Sequence, residues 1–86
     1  MSRLWSLGIS VTPEADAQQH LVAFRANGRR HVVERVWRQW LVEQDWFSED
    51  GSVLRRYWLV STRDGLLCTL ARDELSGAWC IVQVYD

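Results

Sequence analysis

The residues of this sequence best equipped for chemistry are guanidinium groups and indoles. Its 86 residues include ten cationic side chains, all of them Arg, together with six Trp, two Tyr and two Phe. Every cation is therefore a planar fork, suited to bidentate contacts and to stacking on aromatic rings. The stretch Arg25–Arg38 holds five Arg against Glu34 alone, a local +4, with Trp37 and Trp40 at its end. Arg55 and Arg56 run directly into Tyr57 and Trp58, and Arg55–Arg63 carries +3. Between these stretches Glu43, Asp45, Glu49 and Asp50 give a local −4. Guanidinium groups neutralise phosphates, and exposed indoles stack on unpaired bases at ~1–3 kcal/mol each. Opposite signs on separate faces suit docking to a protein, where complementary charge steers association. The acidic stretch would cancel part of the field a phosphate needs, which ranks protein above nucleic acid. The candidate binding residues are Arg29, Arg30, Arg35, Arg38, Trp40, Trp46, Arg55, Arg56 and Trp58. Trp37 and Trp79 are assigned to the core. The competing structural reading makes all the indoles core, with Arg stems covering their edges.

Catalytic groups are sparse. His20 and His31 have no HxH or HxxE partner, which argues against zinc. Cys68 and Cys80 lie outside any ligand spacing and read as reduced, half-buried strand residues. No serine has an evident base, no glycine-rich phosphate loop occurs, and the acids near residue 45 lack a calcium-loop spacing. The expectation is a protein without catalytic residues, metal or cofactor.

The elements that position these residues read as strands. Asn27-Gly28 is a strong hairpin signal, because a type I′ turn needs two residues tolerant of positive φ. Centred there, the turn pairs residue 26 with 29 and 24 with 31. Strands are expected at 20–26, 30–42, 54–62, 66–71 and 78–85, separated by Asp50-Gly51, Asp64-Gly65 and Ser76-Gly77. Residues 33–41 also trace a helical apolar stripe, but the preceding turn demands a strand partner. A long, bent strand with a bulge near its middle is expected. The predicted fold is mainly β: about five antiparallel strands in a curled sheet or small open barrel. Residues 1–18 read as a flexible or short-helical N-terminal arm, with Thr12 a possible cap ahead of Pro13, and residues 19–86 as a single β domain.

Composition agrees with one domain. Hydrophobic content of 48%, charged content of 24% and a net charge of −1 are ordinary globular values and carry no overall basic signature. No apolar run approaches the length of a membrane span, and the start is too short in apolar residues for a signal peptide. A cytoplasmic protein with no membrane role is expected. An exposed strand edge can pair two copies, so a homodimer stands among the candidate assemblies.

Several short motifs follow one another in a distinctive order. They are Asn27-Gly28-Arg29-Arg30, Val36-Trp37 to Trp40, Asp45-Trp46-Phe47, Arg55-Arg56-Tyr57-Trp58 and Thr62-Arg63-Asp64-Gly65. Ala71-Arg72-Asp73, Gly77-Ala78-Trp79 and Val84-Tyr85-Asp86 complete the series. In this order, over about residues 20–86, the sequence resembles a bacterial domain of unknown function found as short stand-alone proteins. That domain is similar to the extreme C-terminal segment of ImuB-type proteins, inactive relatives of Y-family DNA polymerases that act as adaptors in translesion synthesis. The resemblance implies an accessory role in DNA repair, with a polymerase-associated protein as partner, and transfers no catalytic residue. Where that domain tends to a doubled Trp, this chain has Trp46-Phe47. Single-stranded nucleic acid, bound on the Arg and Trp face, is the alternative ligand.

Overall fold

The computed structural model describes the backbone of residues 2–45 and 52–85, and the side chains of residues 9–43 and 54–85. Six antiparallel strands lie among them: β1 (Ser2–Ala15), β2 (Leu21–Ala26), β3 (Arg29–Asp45), β4 (Ser52–Thr62), β5 (Leu67–Asp73) and β6 (Trp79–Tyr85). They pair in chain order and close into a barrel through β1 and β6. The mainly β, antiparallel architecture is the one expected. The described residues contain no helix long and apolar enough to cross a membrane.

The first hairpin follows from its turn. Asn27 and Gly28 both have positive φ, 53° and 77°, and Ala26 pairs with Arg29 and Phe24 with His31. The strand reading of residues 33–41 also holds. All of it belongs to β3, where the register shift at Val36/Arg38 is the bulge expected near the middle and a second lies at Val33/Arg35.

The reading of residues 1–18 as an arm needs correction, because residues 2–15 form β1 and close the barrel. Ser2–Leu4 and Ile9–Ser10 pair with β6, whereas Val11–Ala15 pair with β2. Pro13 sits where β1 pairs on one side only, the setting in which a strand tolerates a residue without an N–H. The polar stretch after it is kept from becoming a helix by Asp16. Its carboxylate accepts the N–H groups of Gln18 and His20, both at 2.9 Å, and ties off a tight turn with Gln19 at positive φ.

The core is the barrel interior. Val11, Phe24, Ala26, Trp58, Val60, Cys68, Leu70 and Ile81 pack together, with Ile9, Leu21, Val33, Leu66, Trp79 and Val84 around them. Trp58 and Trp79 stack at 4.5 Å between centroids. Burial of Trp58 corrects its assignment to an exposed docking face. It alternates with Val60 and Thr62 on the inward face of β4, whereas Trp37, assigned to the core, is 53% exposed. The reason is the bulge at Val36/Arg38, which turns Trp37 outward, a shift of one residue that alternation alone does not reveal.

The two indoles should accordingly separate in stability. Trp58→Ala is expected to cost about 3–5 kcal/mol, as for other aromatic deletions in cores. Trp37→Ala should cost about 1 kcal/mol or less, as a surface change. Urea titrations of both variants followed by circular dichroism measure the difference.

Candidate functional site

The outward face of β3 and β4 is where exposed aromatic and cationic side chains meet. Alternation along β4 sends Tyr57, Leu59 and Ser61 outward, opposite Trp40, Arg38 and Arg35 of β3. Trp37, released outward by the bulge, donates its indole N–H to Ser61 Oγ at 3.0 Å. The Arg35 guanidinium lies over the Trp37 ring at 3.9 Å, and that of Arg38 is 5.2 Å from the Trp40 ring. Trp40 in turn stacks on Tyr57 at 5.3 Å and 10°. Each cation–π contact contributes about 0.5–1 kcal/mol at an exposed site and holds a flexible side chain flat on its ring. The result is a stiff outer row of two Arg, two Trp and one Tyr.

The other expected site residues lie elsewhere. Arg29 and Arg30 are at the hairpin tip, where Arg30 makes a two-pronged contact with Glu14 at 2.8 and 3.1 Å and Arg29 lies 3.7 Å from Asp64. Arg56 points inward on β4 and donates from Nε to Glu74 at 2.9 Å. Arg55 is exposed, on register with Val42 and Asp73. Trp46, and all of the acidic stretch after Asp45, lie outside the described residues. The set of nine thus divides: Arg35, Arg38 and Trp40 share the outer row, Arg29 and Arg30 form a separate charge-paired tip, and Trp58 is core. Trp37 and Tyr57 complete the row and were not among the candidates. Bulge position decided the first. Tyr57 follows from a register that sets it opposite Trp40, which a turn centred on Asp50-Gly51 does not give.

Asp64 organises the neighbouring loop. The Thr62 hydroxyl donates to Asp64 Oδ1, and His31 Nδ1 lies 2.9 Å from Asp64 Oδ2. These bonds, the Thr62 one first, hold the Asp64 carboxyl below its ordinary value. His31 therefore has a partner, 33 residues away in the chain, that no local spacing could reveal. Its ring also stacks on Phe24 at 5.2 Å. Activation of a nucleophile needs the hydroxyl on the imidazole with the carboxylate behind it. Here hydroxyl and imidazole both bond to the carboxylate, an arrangement that fixes a turn.

The outer Glu14 is likewise held below its usual range, chiefly by its hydrogen bond to Arg30. Burial pushes the Cys68 thiol up to about 12, with the Asp64 charge adding to the effect, and burial also raises Cys80. Both cysteines are free. Among the described residues no three His, Cys, Asp or Glu side chains gather as metal ligands do. No family model, curated protein or solved structure matches this chain.

Two measurements follow from these groups. A carboxyl held low in the folded state stabilises it above the unfolded value, near pH 4, and loses that contribution as the pH falls through the folded value. The urea midpoint of the protein should therefore drop between about pH 5 and 2, and Asp64→Asn should flatten part of that drop. A thiol near 12 is almost fully protonated at pH 8, so iodoacetamide should label Cys68 only after unfolding, read by mass spectrometry of the digested protein.

Proposed function

We propose that this chain is a non-catalytic interaction module that docks a protein partner through the outer row of β3 and β4. The observation that carries this reading is the 53% exposure of Trp37 beside Trp40, Tyr57 and two stacked Arg. Aromatic and Arg side chains dominate the hot spots of protein interfaces, and here they are already ordered, so docking loses less side-chain entropy. The charge pairing of Arg29, Arg30 and Arg56 with Asp64, Glu14 and Glu74 supports protein over nucleic acid. It neutralises two of the five Arg of the +4 segment and one of the three in the +3 stretch. Likeness to the C-terminal segment of ImuB-type proteins supports a partner associated with a translesion polymerase.

The test uses the full chain as bait in extract from the host under DNA-damaging conditions. A polymerase-associated protein should be captured, and Trp37→Ala/Trp40→Ala should lose it while keeping a native spectrum. Capture that survives the double variant would refute the outer row as the docking face. Fluorescence anisotropy with a labelled oligothymidylate separates the nucleic-acid reading. Saturable binding that weakens steeply with salt would favour it over the protein partner.

A further inference from the structure

The barrel interior does not end in solid packing. Beyond the stacked Trp58–Trp79 pair it opens into a cavity of about 600 Å³, walled on one side by Pro13 and Leu21 and on the other by Val36 and Gln39. That volume lies within the range of small-molecule sites, about 300–1,000 Å³. Its lining also includes the polar side chains of Gln19, His20, Gln39 and Arg72, and small-molecule sites combine apolar walls with placed polar groups.

Arg72 is the residue that gives this cavity a chemistry. Along β5, Cys68 and Leu70 are core side chains, and Arg72 continues the same inward alternation, register-paired with Trp79 and Arg56. The Arg72 side chain is 43% exposed at the barrel mouth, and only its Nε is shielded. Glu74 accepts from Arg56 through Oε1 at 2.9 Å, and its Oε2 pairs with Arg72 Nε at 3.8 Å, an ion pair longer than a hydrogen bond. Arg72 Nε is buried without a hydrogen-bond partner among the described residues. A buried donor of this kind costs stability until an acceptor reaches it. The other ionisable groups near this end are His20, which lines the cavity, and Asp16, paired with it at 3.4 Å in the β1–β2 turn.

We propose that this cavity binds a small planar aromatic carboxylate, its carboxylate on the Arg72 guanidinium and its ring against Trp79 and Val36. A carboxylate fits the fork of Arg and supplies the acceptor that Nε lacks. The ring takes up the apolar wall, where offset stacking on an indole favours flat ligands. Gln39, exposed on β3 and opposite Trp58 in register, offers an amide to any further polar substituent. This site opens at the barrel mouth and is separate from the outer row, so it stands or falls independently of the docking proposal.

Titration of the ¹⁵N-labelled full chain with 2-naphthoate, followed through the six tryptophan side-chain N–H signals, tests it. The signals of Trp58 and Trp79, assigned with single Trp→Phe variants, should shift and saturate, while those of Trp37 and Trp40 stay in place. Arg72→Gln should weaken binding by about tenfold or more, as should replacing the probe with neutral 2-naphthylmethanol. Acetate, lacking the ring, should give no saturable shift. If Arg72→Gln fails to fold, Val36→Trp reads the same site by filling its wall and should abolish the Trp79 shift. The proposal is overturned by absence of saturation at millimolar naphthoate or by shifts confined to Trp37 and Trp40. Equal binding of acid and alcohol also overturns it.

Discussion

The structure depends on one constraint: β1 must bond to two different neighbours along its length. Its first part supplies the hydrogen-bond partners of β6, and its second part supplies those of β2. A short chain of this kind has too little apolar residue to bury both faces of an open sheet, so closure is what creates an interior. β3 makes the same change of partner, leaving β2 at Val32 and continuing along β4 from Val33. Two strands shared in this way bend the sheet back on itself. The bulges in β3 take up the misfit, and one of them sends Trp37 outward. Barrel closure and the exposed aromatic row therefore have a common origin.

The aromatic residues divide between two kinds of work. Trp58 and Trp79, with Phe24, supply bulk inside, where area removed from water is the main source of stability. Trp37, Trp40 and Tyr57 supply rigid surface outside, kept flat by Arg35 and Arg38. Arginine suits both settings. On the surface it lies on rings; at the hairpin tip it forks onto Glu14; at the barrel mouth Arg72 pairs loosely with Glu74. Lysine, a point charge on a flexible stem, would do none of the three as well.

Much of the architecture was legible because the punctuation is local. Asn27-Gly28 and Asp64-Gly65 each set a turn within a few residues, and the strands between them carry Val, Trp and Tyr. The strand identity of residues 33–41 could be argued from the turn before it. β1 was illegible because its evidence is not local: Pro13-Glu14-Ala15-Asp16 looks like a helix start, and only pairing with β2 and β6 makes it a strand. The site was half legible for a related reason. Period-two counting identifies a face only while the register runs unbroken, and the slips at Val33/Arg35 and Val36/Arg38 exchanged the fates of Trp37 and its neighbours. Arg72 was within reach of such counting from Leu70, since no slip intervenes. The His31–Asp64 contact was not, because it depends on how β3 is registered against β4, with Val33 opposite Thr62.

Pairing of Ser2 with Tyr85 puts the first and last described residues side by side. A short peptide bridge can therefore join them without disturbing any strand, and the chain can be reopened at an exposed turn such as Asn27-Gly28. The same geometry makes the barrel easy to insert. Spliced into a loop of a host protein it would need only two neighbouring attachment points, so this domain can be carried as a passenger as readily as at a chain end.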